Sequence, residues 1–255
     1  MGQLSTRGLS YSLAGAASLA ALIFLLPLID IFSELPPAVR IVAYALVLAP
    51  ISLLLHGALV ASRDYSTSRL LAVGAAAAAI GLLSALVARP DNLWGGPGFL
   101  VLLALFVADL ARILAAACVG ISLARYVTSV GTALIIVVAA IASDIFSVFA
   151  GPTKALVRED SPLLDFLLLV FPTFGSPLGF GLGLSDFIFM ALFAAASRFL
   201  DLRYAATLIG VCSAAFLAVT AGLLLQRPLP ALPFIALAFV LVNADLILAS
   251  LTRKR

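Results

Sequence analysis

The chain has 255 residues, 64% of them hydrophobic and only 11% charged, with a formal net charge of +3 and a mean hydropathy of +1.24. A water-soluble core cannot absorb that much apolar surface, and the scattered charge, with no basic run interleaved with aromatics, excludes a nucleic-acid partner. The single histidine, His56, rules out a multi-histidine metal site and, lacking a nucleophile motif around it, a Ser/His triad; no metal or cofactor is expected.

Crossing a hydrocarbon layer of roughly 30 Å takes about 20 mostly apolar residues per helix. Eight windows meet that need, near residues 12–33, 38–61, 69–88, 98–124, 127–150, 183–199, 204–225 and 231–251. The fold class expected is therefore all-α, a polytopic transmembrane helix bundle in a lipid bilayer, with a four-helix region over 1–125 and a second over 126–255. Arg7 precedes the first window as in a signal peptide, but the apolar stretch is too long and no small-x-small cleavage pattern follows, so it is read as a mature helix. Cys118 and Cys212 each sit singly inside apolar stretches as small core residues.

Most connections are short, and Trp94 in the 89–97 connection suits a membrane interface. The 151–182 connection differs. It carries Pro152, Pro162, Pro172 and Pro177 together with Lys154, Arg158, Glu159, Asp160 and Asp165. Within it, 163–174 is apolar for only about a dozen residues, so a buried strand or re-entrant segment is expected before the sixth span rather than another helix. Counting basic residues on alternate sides puts Arg7, Arg63, Arg69, Arg125, Arg198, Arg203 and the anchor Arg253-Lys254-Arg255 together, against Arg40, Arg89, Lys154, Arg158 and Arg227. The richer side should be cytoplasmic, with both termini inside and the 151–182 connection outside.

An ionisable group deep in a bilayer costs at least a few kcal/mol, so each needs a partner, a watery cavity or a function. Four aspartates raise that question: Asp109, Asp144, Asp186 and Asp245. Arg112, three residues after Asp109, shares its helix face and suggests an ion pair. Asp245 follows Asn243 and has no local cation, which suggests a hydrogen-bonded packing role. Asp144 has no cation nearby on its own helix. Asp186 follows Gly179, Gly181 and Gly183, whose missing side chains let another backbone come close to its carboxylate. Two aspartates flanking such a crevice suit hydrolysis: one, ionised, draws a proton from water while the other, protonated, polarises the scissile carbonyl.

Three segments carry a resemblance. Ser143-Asp144-Ile145-Phe146-Ser147-Val148-Phe149, Gly183-Leu184-Ser185-Asp186-Phe187-Ile188-Phe189 and Pro230-Ala231-Leu232-Pro233 resemble, in order, the YD, GxGD and PAL motifs of the presenilin and signal peptide peptidase family of intramembrane aspartyl proteases. The resemblance covers roughly 127–251. It implies that Asp144 and Asp186 are the catalytic pair, that Gly183, Leu184, Ser185, Pro230, Ala231 and Leu232 border the substrate, and that 126–255 is the catalytic region. The implied substrate is a single-pass transmembrane protein or a signal peptide, cut in what would be the plasma membrane of a prokaryote. Ser143 stands where the family has tyrosine and Ser185 where it has glycine. Serine is small enough to keep the backbone approach, so altered substrate preference is expected before lost activity. The family usually has nine spans and eight are counted here.

Other classes compete. A prepilin-type peptidase also uses membrane aspartates near glycines, but its motif continues with lysine, whereas Phe187 follows Asp186. A proton-coupled transporter would use the four aspartates as a relay, although no internal repeat links the chain halves. A catalytically silent scaffold for membrane proteins is the third alternative.

Overall fold

The computed structural model describes residues 2–26, 37–87, 99–151, 167–173, 176–227 and 229–252. The 89–97 connection with Trp94, the charged stretch 152–166 and the anchor Arg253-Lys254-Arg255 lie outside the described residues. Helices dominate: α1 (Gly2–Leu25), α2 (Pro37–Ala61), α3 (Thr67–Val87), α4 (Phe99–Ala124), α5 (Val130–Phe149), α6 (Leu184–Phe199), α7 (Tyr204–Leu225), α8 (Leu232–Val242) and α9 (Ala244–Thr252). Strands β1 (Leu168–Thr173) and β2 (Ser176–Gly183) precede α6. Among the described residues, six helices are long and apolar enough to cross a membrane, or seven if α8 and α9, bent by 66° at Asn243, form one broken span. The protein thus has the architecture of an integral membrane protein.

The chain forms two compact units, 1–118 with 162–185, and 119–161 with 186–255. In the first, α1 and α2 run antiparallel and pack through small residues. A Cβ on Gly57 would collide with the Ser12 side chain and lie 2.7 Å from the Ser12 amide nitrogen, while one on Gly15 would sit 3.0 Å from the Pro50 carbonyl oxygen. Side-chain bulk is absent where the two backbones need it absent. The helix α1 begins ten residues before the expected apolar window, because hydropathy marks the lipid-embedded part of a helix and not its polar first turns.

The strands form an antiparallel hairpin with Leu168 opposite Gly183, Leu169 opposite Leu182, Val170 opposite Gly181 and Phe171 opposite Phe180. Leu169 and Phe171 are fully buried while Leu168 and Val170 are only partly so, the period-two pattern of a strand with one covered face. The expected strand before the sixth helical segment is thus present, with a partner strand supplied by the glycine-rich residues that follow it.

In the second unit, α5 starts at Ser129, whose side-chain oxygen accepts from the Thr132 amide at 3.1 Å, an N-cap that satisfies one of the unpaired first-turn donors. Its buried residues Val130, Ala133, Val137 and Ala140 recur at intervals of three and four, a single inward stripe. The helix α6 is buried on almost every side from Asp186 to Ser197. Gly120, near the end of α4, lies against it: a Cβ there would meet the Ile188 carbonyl oxygen and stand 2.8 Å from the Ala191 Cβ. Phe193 of α6 stacks on Phe239 of α8 at 4.9 Å between ring centroids.

The last span departs from the continuous helix expected over 231–251. At the break, Asn243 is fully buried. Its Oδ1 accepts from the Arg203 amide at 2.9 Å, and its Nδ2 donates to Thr207 Oγ1 at 2.8 Å and to the Phe239 carbonyl at 2.9 Å. A side-chain amide engaged three ways stabilises the break that a leucine there would not.

Candidate functional site

Asp144 continues the inward stripe of α5, four residues after Ala140, and is partly buried. Its Oδ2 accepts a hydrogen bond from the Leu232 amide at 2.9 Å. Leu232 is the first residue of α8, so its N–H is one of the donors that a helix leaves unpaired at its start. No side-chain cap is available from Ala231, and Pro233 has no N–H to offer. The carboxylate of Asp144 therefore serves as the cap of α8.

Pro230, Ala231 and Leu232 are all buried, Ala231 at 8% and Leu232 at 4% exposure. Eighty-eight residues of sequence separate Asp144 from Leu232, and the fold joins them.

Asp186 is the third residue of α6 and is 7% exposed. Gly183 ends β2, and Leu184 and Ser185 open the helix, so strand passes to helix with no intervening loop. Gly183 and Leu184 are half-buried and Ser185 is exposed. An aspartate in the first turn of a buried helix faces a positive helix end.

The depths of these groups follow from a helical rise of 1.5 Å per residue. Asp144 is about 21 Å along α5 from Val130, Asp186 about 18 Å along α6 from Arg198, and Leu232 about 15 Å along α8 from Val242. Arg198, Arg203 and Arg125 mark the polar ends of these helices. All three groups thus lie about three to four helical turns in from those ends.

The other two aspartates are set apart. Asp245 is exposed and makes a two-pronged ion pair with Arg203, at 2.7 Å to Nη1 and 2.6 Å to Nη2. Its cation comes from the α6–α7 turn, 42 residues away in sequence, where no local pattern reveals it; the break at Asn243 brings the two together. Asp109 is fully buried in the first unit, 3.8 Å from Arg112, as the spacing on one helix face suggested. Among the described residues no group of three or more His, Cys, Asp or Glu gathers where it could hold a metal ion. Sequence reasoning missed Asn243, Thr207 and Arg203 as one network. An asparagine directly after an eleven-residue apolar run was the available signal.

Known proteins offer no parallel. No family model matches the chain, and neither a curated protein nor a solved structure is similar to it.

Proposed function

We propose that the chain is an intramembrane aspartyl protease that hydrolyses peptide bonds within transmembrane helical substrates, using Asp144 and Asp186 as a water-activating dyad. The observation that carries this proposal is the 2.9 Å bond from the Leu232 amide to Asp144 Oδ2, which links the first aspartate motif to the Pro-Ala-Leu segment. Motif resemblance and tertiary contact thus coincide at Asp144 and Leu232. Burial of Asp186 at a helix start adds support.

In the proposed reaction the ionised carboxylate takes a proton from water as the water oxygen attacks the scissile carbonyl carbon. The protonated partner gives its proton to the carbonyl oxygen. The tetrahedral intermediate then collapses, the C–N bond breaks, and the amine leaves with a proton returned through the dyad. A helical substrate must first unwind, since its amides are bonded internally. The β1–β2 hairpin offers strand edges with which an unwound stretch can pair. On this proposal the substrate is a single-pass membrane protein or signal peptide, and the setting a prokaryotic plasma membrane. The eight-span count is kept as well: α6 is short for a span at 16 residues, but β2 leads into it and its burial removes the need to match the lipid thickness alone.

The test uses detergent-purified protein and a panel of membrane-anchored peptides. Cleavage by the parent, abolished in Asp144→Asn and in Asp186→Asn with folding preserved, is the expected result. Continued cleavage by either variant, or none by the parent, refutes the proposal. The broken α8–α9 pair favours a second reading, a proton-coupled transporter built on discontinuous helices. Proton-driven solute uptake into vesicles by a parent that cuts nothing would select it.

A further inference from the structure

A charged side chain of α4 reaches the β hairpin. Arg112, 6% exposed, donates from Nη1 to the Leu168 carbonyl oxygen at 2.8 Å. Leu168 occupies a particular rung of the hairpin: it lies opposite Gly183, the last residue of β2. Leu184, the next residue, begins α6, so Asp186 is three residues from the rung that Arg112 holds. Beneath the guanidinium lies Asp109, fully buried, with Oδ1 3.8 Å from Nη1 and neither oxygen at hydrogen-bonding distance from a donor.

Apolar contacts from Leu169 and Phe171 hold the hairpin in the first unit, but such contacts are non-directional and tolerate sliding. A two-stranded hairpin is itself only marginally stable. A hydrogen bond from a charged, planar donor has a preferred distance and angle, so it fixes position along the strand as apolar burial does not.

We infer that Arg112, charge-balanced by Asp109, is a positioning residue: it fixes the β1–β2 hairpin and, through Gly183, the first turn of the helix that carries Asp186. The catalytic consequence rests on the proposed proteolysis, whereas the clasp itself does not. An aspartate dyad does not of itself call for a cation on α4, where hydropathy marks only a tolerated charge.

The experiment compares the parent with Arg112→Met and with the double variant Asp109→Leu/Arg112→Met. The single variant strands a buried carboxylate and is liable to misfold, whereas the double removes both charges and keeps the volume apolar. Hydrogen exchange in detergent is read over 168–171 and 181–183, beside thermal unfolding and, for a peptide the parent cuts, kcat and KM. The expected result for the double variant is a retained unfolding midpoint, hairpin exchange faster by about tenfold, and kcat lower by about tenfold or more with KM little changed. Unchanged exchange in the hairpin overturns the clasp. Faster exchange with unchanged kcat overturns the positioning of Asp186. A parent that cuts no peptide sinks the proteolysis proposal instead, and the exchange comparison still decides whether Arg112 holds the hairpin.

Discussion

Replacing Asp144 by alanine and by asparagine separates two roles that one carboxylate holds at once. Asparagine keeps a side-chain carbonyl within reach of the Leu232 amide; alanine leaves that buried N–H at the start of α8 with no acceptor. An orphaned buried donor costs about 1–3 kcal/mol. Weakening the bond from charged to neutral acceptor loses roughly half its strength, under about 1 kcal/mol. The two variants should therefore differ by about 1–2 kcal/mol, which for a chain of this size is a difference in Tm of about 2–8 °C. Thermal unfolding of detergent-purified protein measures it, with cleavage of a membrane-anchored peptide followed in parallel. Both variants should be inactive on the proposed mechanism, and only alanine should be markedly less stable. Equal midpoints for the two variants would refute the capping role of Asp144, because the amide would then be satisfied without it.

Two further expectations concern the last span. Ala231→Phe places an aromatic ring at a site only 8% exposed, beside the amide that meets Asp144, and should lower cleavage by about a hundredfold; undiminished turnover would detach the Pro-Ala-Leu segment from the site. Asn243→Leu strips partners from the Arg203 amide and the Thr207 hydroxyl and should cost about 2–4 kcal/mol, whereas Asp245→Ala breaks an exposed, solvent-screened ion pair and should leave the thermal midpoint almost unchanged. Thermal midpoints in the reverse order would contradict this account of the break.

Long uniform apolar windows were legible because length and composition alone decide them. The expected 204–225 matches α7 to the residue, and 98–124 and 127–150 enclose α4 and α5 within three residues at either end. What hydropathy does not encode is the direction of a helix axis. The window 231–251 reads as one span because Asn243 and Asp245 barely lower its average, yet the buried bonds of Asn243 accompany a 66° turn. The partner of Asp245 was hidden for a related reason, since Arg203 reaches it only through tertiary folding. That Asp144 continues the inward stripe Val130, Ala133, Val137, Ala140 was hidden too, because α5 is apolar on nearly every face and only burial in the fold picks the stripe out. Gly183 as the end of a strand was half legible: the glycines marked close backbone approach, but the pairing with Leu168 required β1.

The bend between α8 and α9 bears on the surrounding lipid as well. Eleven residues of α8 rise about 16 Å and the nine of α9, tilted 66° from it, add only about 5 Å along the same axis, short of the roughly 30 Å of hydrocarbon. Such mismatch is relieved by thinning of the adjacent bilayer. A dimpled leaflet beside α8 shortens the path from the aqueous phase to its buried first turn. On the proposed hydrolysis, water would reach Asp144 by way of deformed lipid, and cleavage would then depend on the acyl-chain length of the host membrane.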